Sequence, residues 1–112
     1  MLSRELTAAS AKPIVLAILA RGESYGYEII QEVKRRSNGE IHWAEGALYP
    51  VLHRLERQGL IESVQRLSDS GRRRKYYRLK DEGHKALATE RKHWMTTHDL
   101  LTSLWGPEPC LT

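Results

Sequence analysis

The chain has 112 residues, 40% apolar and 29% charged, with 18 Lys and Arg against 14 Asp and Glu for a net charge of +4. That is one small domain with a thin core, so oligomerisation is an expected stabiliser. The longest apolar run, 13–20, falls short of the ~20 residues of a membrane span, no basic stretch leads into an apolar signal region, and the single Cys110 can close neither an internal disulfide nor a Cys-based metal site, which leaves the cytoplasm as the expected compartment.

A first helix is expected from about Arg4 to Ala20, dense in apolar residues at Leu6, Ile14, Val15, Leu16, Ile18 and Leu19, with Gly22 as its stop. Pro13 lacks a backbone donor and is expected to kink or start the helix. A second helix is expected after Ser24, a good N-cap, with Tyr27, Ile30, Val33 and Lys34 on one face and Ser37-Asn38-Gly39 as its end. The third spans roughly Ala44 to Gln58, with Leu48, Leu52 and Leu55 on one face and Gly59 after it. Neither Trp43 nor Ala44 caps it well. Pro50 cannot donate to the Gly46 carbonyl, so a short or bent first turn is expected.

Leu60 to Leu67 lacks helical periodicity, Ser68-Asp69-Ser70-Gly71 is a turn cluster, and Lys75 to Leu79 alternates as a strand around paired tyrosines. Together they predict a β-hairpin. Asp81 or Glu82 opens a last helix running to about Trp105, where Gly106-Pro107 stops it. Helix, helix, helix, strand, strand, helix is mainly α with a small β-hairpin: a winged helix-turn-helix with a long helix appended. The expected organisation is 1–80 as the winged-helix domain, 81–105 as a C-terminal helix, and 106–112 as a tail.

The net charge hides an uneven distribution. Between Arg66 and Lys80 lie seven cations (Arg66, Arg72, Arg73, Arg74, Lys75, Arg78 and Lys80) and one anion, Asp69. This fifteen-residue hairpin therefore carries +6 and the rest of the chain −2. Arginines beside a hairpin tip suit phosphates or a narrow minor groove; the blander alternative is a solvated hairpin whose charge blocks edge pairing.

With Leu48, Leu52 and Leu55 turned to the core, the third helix presents Gly46, Pro50, His53 and Arg57 on its opposite face, flanked by Ala47, Tyr49 and Arg54. Small residues at its start allow close approach to a groove, and Tyr49, His53, Arg54 and Arg57 can donate to phosphates or base edges. Arg54 could instead pair with Glu45, Glu56 or Glu62, and Tyr49 could pack under the hairpin.

Three stretches carry a specific resemblance: Ser24-Tyr25-Gly26-Tyr27-Glu28-Ile29, the run Gly46-Ala47-Leu48-Tyr49-Pro50-Val51-Leu52-His53-Arg54-Leu55-Glu56-Arg57-Gln58-Gly59-Leu60-Ile61, and Gly71-Arg72-Arg73-Arg74-Lys75-Tyr76-Tyr77-Arg78-Leu79. With Glu82-Gly83-His84 they strongly resemble PadR-type transcriptional regulators over roughly residues 10 to 105, in the smaller subfamily with a single C-terminal helix. The resemblance implies a homodimeric winged-helix repressor on a palindromic promoter site. The third helix would enter the major groove, the wing would contact backbone or minor groove, and the last helix would form the dimer interface. Many members release DNA on binding a small aromatic or drug-like molecule. The implied DNA-contacting set is Tyr25, Ala47, Tyr49, His53, Arg54, Arg57, Arg72, Arg73, Arg74 and Lys75. Ala47 or Ala44 stands where the family often has Ser or Thr, and Lys80 stands where it often has Thr, making Asp81 the expected cap.

A helix from Asp81 to Trp105 would be roughly 37 Å long and must project from so small a domain. Leu87, Trp94 and Leu101 are spaced by seven, with Leu104 and Trp105 at the end. The expected interface is with the N-terminal helix of a second copy, through Leu6 and Leu2. Trp94 near its twofold mate could sandwich a flat aromatic ligand; the alternative is a plain interface Trp.

Other classes have weaker support. The five histidines form no i, i+4 pair and have no Cys or carboxylate at ligand spacing, so no metal or other cofactor is expected. A redox switch would rest on Cys110 alone. No nucleophile elbow, phosphate-binding Gly loop or acid–base pair marks an enzyme. The non-enzymatic alternative is a winged helix that binds protein and not DNA, which would have no need of +6 at the hairpin.

Overall fold

A computed structural model describes residues 1–107. In chain order the elements are α1 (Arg4–Ala20), β1 (Ser24–Tyr25), α2 (Gly26–Arg36), α3 (Glu45–Arg57), β2 (Ile61–Leu67), β3 (Arg73–Leu79) and α4 (Asp81–Trp105). The winged helix-turn-helix predicted from sequence is present, with the long last helix at its expected bounds.

α1 starts at Ser3, whose hydroxyl accepts from the Leu6 N–H at 3.1 Å. Pro13 neither breaks nor starts the helix, which runs through it. α1 buries Ala11, Val15, Leu16 and Leu19; α2 adds Ile29, Ile30 and Val33; α3 adds Leu48, Leu52 and Leu55. Ile61 and Tyr77 of the sheet close this core, together with Ile41 and Trp43 from the connection between α2 and α3. That connection turns where Asn38 and Gly39 take positive φ, 52° and 81°, and the Ser37 hydroxyl accepts from the Ile41 N–H at 3.0 Å, drawing Ile41 inward.

The sheet has three strands, not two. β1 pairs antiparallel with β3 (Ser24 with Tyr77, Tyr25 with Tyr76), and β2 pairs with the other side of β3, for the order β1-β3-β2. This corrects the reading of Ser24 as a helix cap. Tyr25 holds the cap position of α2 without a side-chain bond, while the Ser24 hydroxyl donates to Glu28 at 2.6 Å. Lys80, not Asp81, is the cap residue of α4, again without a side-chain bond. α3 begins at Glu45 and continues through Pro50, with an i→i−3 bond from the Ala47 N–H to the Ala44 carbonyl in its first turn. Pro50 leaves the Gly46 carbonyl without its usual donor, and the helix continues past that one missing bond.

α4 is fixed to the head at its first turn. Gly83 is buried, and the Lys80 N–H donates to the Leu60 carbonyl at 3.0 Å. The first half of α4 then lies on α1, with Ala86 and Leu87 against the core and Lys12 paired to Glu90 at 3.7 Å. The second half leaves the domain. The particle measures 55 × 30 × 21 Å, and no helix among the described residues is long and apolar enough to cross a membrane.

Candidate nucleic-acid interface

The outward side of α3 follows from its buried stripe. With Leu48, Leu52 and Leu55 against the core, Gly46, Ala47, Pro50, His53, Arg54 and Arg57 are exposed. Tyr49 takes an intermediate course. It is 36% exposed, and its ring lies over the start of α2, where a Cβ on residue 26 would stand 2.8 Å from the Tyr49 hydroxyl. Gly26 is therefore the small residue that lets α2 and α3 approach here. The Tyr49 ring centroid is 6.2 Å from that of His53.

The ion pairs separate the basic residues into two groups. Arg66 is paired with Glu23, its Nη2 donating at 2.8 Å, and Arg78 with Glu62 at 2.7 Å. Glu56 accepts from Ser63 at 2.8 Å. Among the described residues, Arg54, Arg57, Arg72, Arg73, Arg74, Lys75 and Lys80 have no ion pair. The alternative pairing of Arg54 with Glu45, Glu56 or Glu62 is thus not formed. Cations without a protein partner keep their full charge for an outside anion.

The hairpin tip is tightly built. The Ser68 N–H donates to the Arg72 carbonyl at 2.7 Å, the Arg72 N–H to the Ser68 hydroxyl at 3.2 Å, and Gly71 turns the chain at φ 82°. Arg72 and Arg73 project beside this turn, exposed. Alternation along β3 puts Arg74 with Tyr76 on one face and Lys75 with Tyr77 on the other. Arg74 stacks on the Tyr25 ring at 4.5 Å, and Lys75 lies 5.5 Å over the Tyr77 ring. Tyr77 is 1% exposed and its hydroxyl has no partner among the described residues. Burial pushes its phenol above the ordinary range, partly offset by Lys75, with Glu56 and Tyr49 of α3 adding to the rise. The Ser63–Glu56 bond joins the root of the wing, through β2, to the last turn of α3.

The residues expected at a dimer surface divide in the same way. Leu87 is partly buried against its own core. Trp94 is half-buried beside a groove of about 560 Å³ between α1 and α4, lined by Pro13, Ala17, His84, Leu87 and Arg91. α4 therefore meets its own α1 first, which the sequence reading did not foresee. Leu6 is exposed on α1, and Leu101, Leu104 and Trp105 on α4, the last two at 72% and 75%. Cys110 falls outside the described residues. Among those described, no three His, Cys, Asp or Glu side chains gather as a metal site would require.

Known proteins share this arrangement. The transcriptional regulator PadR-like family matches residues 15–89. A transcriptional regulator of Mycobacterium tuberculosis is 38% identical over 89 residues, covering 80% of this chain and 79% of its own. Among solved structures, a transcriptional regulator from Clostridium thermocellum superposes with a TM-score of 0.83 at 29% identity, covering 92% of this chain and 97% of that one. A PadR-like transcriptional regulator from Bacillus cereus gives 0.82 at 27% identity, covering 93% and 99%. The resemblance seen in the three sequence motifs is thus matched by the fold, and the chain belongs to the PadR-like family of DNA-binding transcriptional regulators.

Proposed function

We propose that the chain acts in the cytoplasm as a homodimeric repressor on a palindromic promoter site. The observation that carries this reading is the set of cations on α3 and the wing that have no ion pair among the described residues, beside other wing cations that are paired within the chain. In the complex, α3 enters the major groove with Ala47 leading and with Tyr49, His53, Arg54 and Arg57 toward phosphates or base edges. Arg72, Arg73, Arg74 and Lys75 bring the wing to the backbone or the minor groove.

The exposed apolar residues support the dimer. Among the described residues, Leu100, Leu101, Leu104 and Trp105 are exposed on the last turns of α4 and stand outside the chain's own core, and burying such surface is worth about 25 cal/mol per Å². A second copy, through α4 and Leu6, is the partner we assign to it. Two heads related by a twofold axis then face half-sites about 10 base pairs apart or a multiple of that.

We assign release to a planar aromatic effector at Trp94. The groove beside it is apolar and open, and a ligand there touches both α1 and α4, so it can favour one angle between the heads over another. Two measurements test the whole reading. Sedimentation should give a dimer, and anisotropy with palindromic duplexes from the DNA flanking the reading frame should give tight, salt-sensitive binding. A monomer, or binding that ignores salt, would contradict it. For the effector, planar phenolic and cationic compounds should quench Trp fluorescence in wild type and much less in Trp94→Ala. Equal quenching in both removes Trp94 from the site.

A further inference from the structure

Of the three consecutive wing arginines, one has a built platform. Arg74 is half-buried, and its guanidinium carbon stands 4.5 Å from the centroid of the Tyr25 ring. The platform is itself fixed. Tyr25 pairs through its backbone with Tyr76, and the two rings meet edge to face at 5.1 Å and 67°. Next to it, Glu23 holds Arg66 through two hydrogen bonds, of 3.2 and 2.8 Å. The short segment 23–25, immediately before α2, thus braces the wing from its open edge. Arg72 and Arg73 at the tip have neither a ring nor a carboxylate partner among the described residues.

We propose that Tyr25 is a positioning residue rather than a DNA contact, and that it pre-aims Arg74 to make the geometry-dependent contact of the wing, while Arg72 and Arg73 supply charge without fixed direction. The proposal rests on the DNA-binding reading and deepens it. The physical basis is entropy. An arginine side chain carries much rotamer freedom, and stacking on Tyr25 removes part of it before DNA arrives. A planar guanidinium held this way keeps its N–H edge free for a phosphate or base edge, which an ammonium on a flexible stem cannot imitate. Position and charge can therefore be separated experimentally, because changing Tyr25 removes no charge.

The experiment uses the full chain and a duplex it selects from a random pool, with a scrambled duplex as control, titrated at several salt concentrations. Tyr25→Ala should weaken binding to the selected duplex by roughly three- to ten-fold and leave the salt slope unchanged. Tyr25→Phe keeps the ring and should bind like wild type. Arg74→Lys keeps the charge and should show the same loss as Tyr25→Ala with the same slope. Arg74→Ala should lose more and lower the slope by about 1. After Arg74→Ala, the Tyr25→Ala change should cost little further, since the two act as one unit. Arg74 lies on the wing surface, so Arg74→Lys tests the idea even if Tyr25→Ala unfolds β1. Wild-type affinity in Arg74→Lys overturns the proposal. So does a Tyr25→Phe variant as weak as Tyr25→Ala, since that would make the hydroxyl a direct contact. No binding by wild type to any duplex would instead refute the DNA-binding reading itself.

Discussion

Gly83→Ala is expected to strain the joint between the head and α4. A Cβ at this position would stand 2.1 Å from the Leu60 carbonyl oxygen, and 2.6 and 2.9 Å from Cδ1 and Cγ of Leu79. A carbon and a carbonyl oxygen come no closer than about 3.3 Å even in a weak C–H···O contact, so the joint must open by about 1 Å. The Leu79 side chain can rotate aside. The Leu60 carbonyl cannot, because it accepts the Lys80 N–H at 3.0 Å and that bond sets the start of α4. Overpacking costs about 1–3 kcal/mol, and a backbone obstacle places this case near the top of that range. Alanine returns up to ~1 kcal/mol of helix propensity, leaving a net loss of about 2 kcal/mol. For a domain of this size that lowers Tm by about 10 °C. Calorimetric or circular-dichroism melts at matched protein concentration measure it, the matching being needed because a dimer's Tm depends on concentration. A Tm within about 2 °C of wild type would refute the packing argument.

Three further outcomes follow from the same geometry. Glu32 is held by Arg36 and by Arg35, which lower its carboxyl pKa from 4.5 to about 2; a pKa depressed in the folded state gives stability present above about 4.5 and lost as pH falls through about 2, so an NMR carboxyl titration should place Glu32 well below an ordinary glutamate, and Glu32→Gln should flatten the acid response in that window. Tyr77→Phe removes a buried hydroxyl without a partner among the described residues, so Tm should hold or rise, whereas a loss above about 1 kcal/mol would mean the hydroxyl has a partner. Arg73→Ala should weaken binding to every duplex and lower the salt slope by about 1; an unchanged slope would mean that Arg73 touches no phosphate.

The helices were legible because their signals are local. Leu48, Leu52 and Leu55 recur at helical spacing, Gly59 follows α3, and α1 and α4 have the bounds expected from their apolar density and flanking Gly residues. The hairpin was legible from Ser68-Asp69-Ser70-Gly71 between two non-helical runs. β1 was not, because two residues have no period and Ser24-Tyr25 acquires strand geometry only from pairing with β3 over fifty residues away. Ile41 and Trp43 went unnoticed as core for a similar reason: they belong to a connection, where burial follows from the path of the chain and not from spacing. The basic character of the wing could be counted in sequence, but its division could not. Which arginine meets Glu23, which Glu62 and which the Tyr25 ring depends on register, and register depends on the fold. Leu87 shows the same limit on α4, where an apolar stripe signals a partner without saying whether the partner is the chain's own α1 or a second copy.

The central claim is that two heads joined by α4 read a symmetric DNA site. Selection of duplexes from a random pool by the full chain, followed by sequencing, tests it most directly. The account predicts enrichment of an inverted repeat whose half-site centres lie about 10 base pairs apart or a multiple of that. Enrichment of a single asymmetric site, or no enrichment at all, would contradict it.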